Sequence, residues 1–187
     1  MSYIDRLKRE IGWICLFIII IWLVFFVDQI LPLERLGLRP RSVFGLIGVG
    51  AMTFLHGSWS HIISNTFPLA TLLFLLVSSR ANSAAIVVFI TIFGGLLLWL
   101  FGGSGFIHIG ASLLVFGLIG FLLTTGLFFE RQVLSLMISL FVLFSYGGSL
   151  IIGVLPVQEG VSWEGHLYGF VAGVLVAYLN KRKLSFA

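Results

Sequence analysis

The chain has 187 residues, of which 59% are hydrophobic and only 10% are charged. A mean hydropathy of +1.16 leaves too few polar residues to cover a water-soluble globule, which excludes a soluble domain. The 11 basic residues outnumber the 7 acidic ones, but they fall at the ends of apolar stretches rather than in one stripe. This distribution excludes a nucleic-acid-binding module and indicates a membrane topology signal.

Six uncharged stretches are mostly close to the ~20 residues with which a helix crosses a bilayer core. They cover residues 11–27, 59–79, 83–101, 112–129, 132–157 and 165–180. The apolar segment 43–55 has only 13 residues, three of them glycine, and is predicted to be interfacial or re-entrant rather than a further span. The sequence therefore predicts an all-α polytopic membrane protein, a six-helix bundle with a long first outer loop over residues 28–58.

The basic residues divide unevenly between the two sides of this topology. Three of them, Arg35, Arg39 and Arg41, lie on one side, and the other eight lie on the side that holds both termini. By the positive-inside rule both termini are expected to be cytoplasmic. We expect residues 1–10 to form a cytoplasmic segment, residues 11–180 the membrane domain and residues 181–187 a basic cytoplasmic tail. The expected location is the plasma (inner) membrane, with the first span retained as an anchor because no small-residue cleavage site follows it.

Polar side chains near span ends are the candidates for chemistry, because polar groups at membrane depth are costly. His61 and Asn65, with His56 just ahead of them, open the second span, Ser112 opens the fourth and His166 opens the sixth. These three spans begin at the same predicted face. Since a helix rises ~1.5 Å per residue, groups in their first turns are expected to lie at similar depth.

This set of residues favours acyl transfer. A serine hydroxyl becomes a nucleophile when a base takes its proton, and His166 is the histidine on the sixth span. His61 and Asn65 are spaced i, i+4, so both face one spot as donors for an oxyanion, together with the backbone N–H of Ser112. Taken singly, Ser112 is more often a helix cap, and His61 and Asn65 are as often bonded to loop backbone.

Small residues on two spans predict close helix packing. One ridge recurs every four residues along the sixth span, and the fourth span offers a facing surface, although such ridges are common in polytopic proteins. The ridge comprises Gly165, Gly169, Gly173 and Ala177, and the facing surface comprises Gly110, Ala111, Gly117 and Gly120.

Other intramembrane chemistries lack their residues. The sequence has no His-Glu-x-x-His metalloprotease pattern, no carboxylate pair within the spans and no Gly-x-Ser-x-Gly elbow. Cys15 is the only cysteine and is interpreted as a small apolar filler. Glu164 is interpreted as a surface or loop-anchoring carboxylate and His108 as structural or solvated. No metal or other cofactor is predicted.

Three motifs together resemble the rhomboid family of intramembrane serine proteases, and the resemblance covers nearly the whole chain. They are HGSWSHIISN (56–65), GASLLVFG (110–117) and GHLYGFVAG (165–173). The resemblance implies a rhomboid-like bundle without cofactors, in which Ser112 is the nucleophile and His166 its general base. It further implies that His61 and Asn65 line the oxyanion hole, while His56, Phe116, Gly110 and Gly169 give structural support. Phe116 is expected to pack on the imidazole of His166 and His56 to brace the outer loop.

Two positions depart from the usual family pattern. Many members read Gly-Ala-Ser-Gly, whereas Leu113 stands in the last position here and is expected to narrow the space between helices or alter substrate fit. The Trp-Arg pair of the first outer loop is also absent. Neither change removes a catalytic group, so the prediction is an active endopeptidase.

The predicted endopeptidase cleaves transmembrane segments of membrane proteins near the outer face, so its partners are those substrates and the lipid bilayer, not nucleic acid. One alternative is a catalytically inactive rhomboid-like module that binds client transmembrane helices. A solute or proton pathway would require charged groups deeper in the spans.

Overall fold

Seven α-helices make up most of the computed structural model, which describes residues 3–80, 82–130, 132–158 and 160–184. They are α1 (Tyr3–Asp28), α2 (Ile47–Ala51), α3 (Trp59–Ser79), α4 (Ser83–Phe101), α5 (Ser112–Thr124), α6 (Val133–Gly153) and α7 (Trp163–Leu184). A π-helical turn, Thr125–Phe129, continues α5. The described residues contain no β-strand beyond one isolated bridge, which confirms the predicted all-α class.

The predicted spans correspond to six of these helices. Among the described residues, α1, α3, α4, α6 and α5 with its π-helical turn are long and apolar enough to cross a membrane. The sixth, α7, has 22 residues but is less apolar because its first turns carry Glu164 and His166. Arg131, which contributes to the predicted charge asymmetry, and residues 185–187 of the predicted tail lie outside the described residues.

The segment predicted not to span is short in the structure. Residues 44–54 form two 3₁₀ turns on either side of α2. This segment packs against the chain just before it, since a Cβ on Gly48 would collide with the backbone of Leu38 and a Cβ on Gly45 with that of Arg39. Leu38 in turn pairs with His108 through two backbone hydrogen bonds of 3.0 and 2.8 Å, so the long loop is tied to the α4–α5 connection.

The core is centred on α5, in which every residue from Leu113 to Leu123 is buried. Its closest neighbour is α7, and the two helices run parallel with their backbones in contact. A Cβ on Gly169 would collide with the carbonyl oxygen of Leu113, and a Cβ on Gly173 with that of Gly117. Two members of the predicted ridge, Gly169 and Gly173, therefore contact α5.

Polar groups tie the helices together at the end of the bundle opposite the start of α5. Arg80 forms a salt bridge with Glu130, and Ser135 donates a hydrogen bond to the same carboxylate. Ser139 on α6 donates to the Leu122 carbonyl at 2.8 Å. These contacts fasten the first half of α6 to α3 and α5.

Cys15 is exposed on α1. Cys15, interpreted as a small apolar filler, therefore fills no gap between helices. The helix carries it on the face that points away from the bundle, where neighbouring helices do not need a small side chain.

We expect Gly173→Ala to destabilise the bundle by about 1–3 kcal/mol, because its methyl group must force α5 and α7 apart. The matched control is Gly12→Ala on α1, where a Cβ meets nothing within 4 Å and better helix propensity adds up to about 1 kcal/mol. Unfolding in mixed detergent micelles measures both. Equal stability of the two variants would contradict the backbone contact.

Candidate active site

Three helices begin side by side at one end of the bundle. The Gly110 backbone, just before α5, lies against the His61 ring of α3, and His108 Nδ1 lies 2.7 Å from Ser162 Oγ at the start of α7. The parallel packing of α5 and α7 keeps their first turns together. The residues predicted from distant parts of the sequence are thus gathered at one end.

His166 is held on two sides. Its ring stacks on that of Phe116 with centroids 3.9 Å apart and 5° between the planes. Its Nδ1 lies 2.9 Å from the carbonyl oxygen of Gly153. Because a carbonyl only accepts, Nδ1 carries the proton in this contact, and Nε2 of the neutral ring keeps its lone pair. His166 is 8% exposed, so little water is available to compete with the Gly153 carbonyl for the ring.

Ser112 is the first residue of α5 and is partly exposed. Residues i and i+4 share a helix face, so Ser112 and Phe116 point to the same side, and Phe116 touches His166. In the described part of the chain, no hydrogen bond joins Ser112 to His166, nor does the Ser112 hydroxyl cap the helix. Among the described residues the Ser112 hydroxyl therefore has no hydrogen-bond partner, and it shares a helix face with the ring on which His166 stacks.

Asn65 and His61 lie on the face of α3 that is next to the start of α5. Asn65 is 7% exposed and donates one amide hydrogen to the His61 carbonyl at 2.8 Å, which leaves its second N–H available. Asn65 and Ala111 line one small pocket with His56. The His61 ring lies against the Gly110 backbone, where a Cβ would come within 2.5 Å of Nε2. Both side chains therefore flank the residues that lead into Ser112.

His56 and Gly110 fix the backbone ahead of Ser112. His56 is fully buried, and its Nε2 accepts a 3.4 Å hydrogen bond from the Ala111 N–H. Gly110 has φ +109°, a conformation that favours glycine, and donates to the Met52 carbonyl at 2.8 Å. Burial, with a smaller contribution from nearby His61, lowers the pKa of His56 to about 4, so the ring stays a neutral acceptor.

Leu113 is accommodated by a glycine on another helix. Its side chain points to α4, where a Cβ on Gly94 would lie 2.8 Å from Leu113 Cδ2. Only the Leu113 backbone faces Gly169 on α7. The side chain therefore occupies space between α5 and α4 and does not separate α5 from α7.

Several residues at this end were not identified from the sequence as part of the site. Gly153 contributes a backbone carbonyl, a group that every residue carries, so no sequence signal marks it. Ser162 accepts the Gly165 N–H at 3.1 Å, which is the usual pattern of a helix cap. Glu164 accepts the Gly103 N–H at 3.0 and 2.9 Å, which confirms its interpretation as a loop anchor.

Within residues 3–80, 82–130, 132–158 and 160–184, no group of three or more His, Cys, Asp or Glu side chains could hold a metal ion.

We expect the free energy of unfolding to decrease as the pH is lowered, because His56 takes up a proton on unfolding. Its folded pKa of about 4 lies below the ordinary 6.5, so the unfolded state binds the extra proton and about 3 kcal/mol is lost between pH 6.5 and pH 4. Unfolding measured across this range in wild type and His56→Gln, whose side chain does not titrate, checks this. A variant with an equally steep pH dependence would contradict it.

Comparison with known proteins identifies the family. The family model described as "Rhomboid domain" matches residues 42–183. Uncharacterized proteins of Mycobacterium tuberculosis and Mycobacterium bovis are 42% identical over 174 residues, which cover 87% of this chain and 72% of each relative. One from Mycobacterium leprae is 39% identical over 189 residues, 93% of this chain and 73% of that protein. The chain is an integral membrane protein that belongs to the rhomboid family.

Proposed function

We propose that this protein is an intramembrane serine endopeptidase that cleaves transmembrane segments of membrane proteins near the outer face. The observation that carries the proposal is the setting of His166. Its ring is stacked on Phe116 and its Nδ1 is bonded to the Gly153 carbonyl, which leaves the Nε2 lone pair free. Ser112 precedes Phe116 by one turn on the same face of α5.

In the proposed reaction, His166 Nε2 takes the Ser112 hydroxyl proton as Oγ attacks the scissile carbonyl. The tetrahedral intermediate collapses when the C–N bond breaks and Nε2 gives its proton to the leaving amine. Water then attacks the acyl-enzyme with His166 again as base, and release of the acid restores the serine. The chain's own groups supply every proton transfer in this cycle.

The oxyanion is proposed to lie between α3 and the start of α5. The Ser112 backbone N–H is at a helix N-terminus, where amide hydrogens lack intrahelical partners and the dipole is positive. Asn65 adds its second amide N–H and His61 a ring nitrogen. Donors placed where negative charge develops lower the barrier more than donors that bind the ground state.

Substrate is proposed to enter past α6. Its first half packs through Ser135, Ile138, Ser139 and Val142, whereas no residue from 143 to 152 is buried. Outward movement of the second half of α6, residues 143–152, would open a path to Ser112 from the bilayer. Substrate helices must unwind to expose the scissile carbonyl, which favours Gly, Ala or Ser near the cut.

Water is proposed to reach the site from the start of α3. Ser58, Ser60 and Ser64 are exposed there, and Ser58 Oγ accepts the His61 N–H at 3.2 Å. Because eight of the 11 basic residues are predicted to lie on the opposite side, this end is proposed to face outward from the plasma membrane, with both termini cytoplasmic.

We expect Ser112→Ala to lower cleavage of a reconstituted transmembrane substrate by about 10,000-fold or more, because the nucleophile is lost. The control is Ser78→Ala, whose exposed hydroxyl donates only to the Phe74 carbonyl of its own helix at 2.8 Å. Cleavage by Ser112→Ala at the wild-type rate would refute the assignment.

The rival function is an inactive module that binds client transmembrane helices, and the absence of a hydrogen bond between Ser112 and His166 in the described residues is the observation in its favour. A fluorophosphonate probe separates the two. An active protease labels at Ser112 and loses the label in His166→Ala. A binding module retains client helices without labelling.

We expect Asn65→Ala to lower kcat by about 100- to 1,000-fold while KM stays nearly constant, since the donor acts mainly on the oxyanion. Steady-state cleavage in liposomes measures both constants. Thr71→Ala on the same helix is the control, because its exposed hydroxyl donates only to the Phe67 carbonyl. A KM effect alone would assign Asn65 to substrate binding instead.

A further inference from the structure

We propose that Gly153, at the end of α6, is a positioning residue that does for His166 what a carboxylate does in a Ser-His-Asp triad, so that the dyad is assembled only while the end of α6 is seated. This inference rests on the proposed function. It concerns a backbone carbonyl on a helix that carries neither of the two proposed catalytic residues.

Gly153 is the last residue of α6. The last carbonyls of a helix have no partner within it, and together they form the negative end of the helix dipole. The Gly153 carbonyl directs this free acceptor at His166 Nδ1 over 2.9 Å. The imidazole therefore donates a hydrogen bond to a carbonyl that has no partner within α6, and the imidazole gains a fixed hydrogen-bond partner.

This contact sets the tautomer. With the proton on Nδ1, Nε2 is the free base, whereas the opposite tautomer would present an N–H to Ser112 and accept nothing. The negative end of the dipole also favours the positive imidazolium that forms when Nε2 takes the Ser112 proton. In soluble triads a buried aspartate provides both effects. Here a neutral carbonyl provides them without the cost of burying a second charge.

The absence of a side chain at position 153 is required by this geometry. A Cβ there would collide with the Phe116 ring and lie 3.1 Å from His166 Nδ1. Phe116 is the ring on which His166 stacks, so any residue larger than glycine would press on both members of the stack. Gly153 has no positive φ, so backbone conformation does not explain glycine here.

The contact couples the site to the seating of α6. The last residue before Gly153 that is buried on this helix is Val142. Between them only partial packing, by Tyr146 and Leu150 against the core, holds the helix in place. When the second half of α6 moves to admit substrate, the Gly153 carbonyl is withdrawn from His166. When the helix returns, the hydrogen bond that orients the His166 base forms again. The protease is therefore competent only when α6 has closed behind its substrate.

The matched pair of variants is Gly153→Ala and Gly148→Ala. Both add a methyl group to α6, but a Cβ on Gly148 meets nothing within 4 Å. Cleavage in liposomes gives kcat and KM, and solid-state NMR of ¹⁵N-histidine gives the tautomer, with the His166 signal assigned by its loss in His166→Gln.

We expect wild type to carry the proton on Nδ1. We expect Gly153→Ala to lower kcat about 100-fold with KM nearly unchanged, because a displacement near 1 Å suffices for such a loss, and to lose the single Nδ1–H tautomer. Gly148→Ala should match wild type in kcat, in KM and in the tautomer of His166. Wild-type kcat in Gly153→Ala, or reduced kcat with the Nδ1–H tautomer intact, would overturn the proposal.

An Nε2–H tautomer in wild type would also overturn it, even if Gly153→Ala does not fold. The tautomer measurement needs no turnover. If Ser112→Ala retained activity, the proposed protease function would fail while the result for Gly153 could still be read.

Discussion

The backbone contact between α5 and α7 is the constraint on which the rest of the site depends. In a membrane, lipid tails are as apolar as leucine, so helices associate through close packing and interhelical hydrogen bonds rather than through the hydrophobic effect. Gly169 and Gly173 let α7 touch the carbonyls of Leu113 and Gly117. The Gly169–Leu113 contact lies within one turn of both Ser112 and His166. Since the helices are parallel, this backbone contact brings their first turns together. Ser112 and His166 are therefore positioned without any attraction between charged side chains.

Backbone groups, more than charged side chains, hold the site together. His166 bonds to the Gly153 carbonyl, His56 accepts from the Ala111 N–H, and Asn65 donates to the His61 carbonyl. Unpaired charges in an apolar setting are expensive, whereas helix ends supply unpaired N–H and C=O groups at no such cost. Where the described structure does bury a charge, as at Arg80, the charge is paired with Glu130. That pair lies at the opposite end of the bundle, where it stabilises the helix connections without disturbing the imidazole.

The sequence predicts the helices and the glycine ridge because both follow a helical period that is visible in the residues themselves. Gly169 and Gly173 of the ridge on α7 and the facing Gly117 and Gly120 on α5 are confirmed by their close contacts, whereas Gly165 faces Ser162 and Leu98 instead. The prediction fails at Gly110, which faces His61 instead, because it precedes α5 with φ +109° and no longer follows the helical period. The helix against which Leu113 packs could not be read from its own segment, since Gly94, the glycine that accommodates it, lies on α4. Gly153 contributes only a carbonyl, which no side-chain pattern reveals.

The uneven packing of α6 suits two opposed requirements of the proposed function. A helix that admits substrate must be the least stable part of the bundle, because local opening draws on regions with few buried contacts. A helix that orients the base must return to one defined position. The structure separates these requirements along the length of α6: Ser135 and Ser139 fasten its first half, residues 143–152 are not buried, and Gly153 meets His166 at the far end. Because the fastened half fixes the direction in which the helix would return, one terminal contact is enough to define the closed state that the proposed mechanism requires.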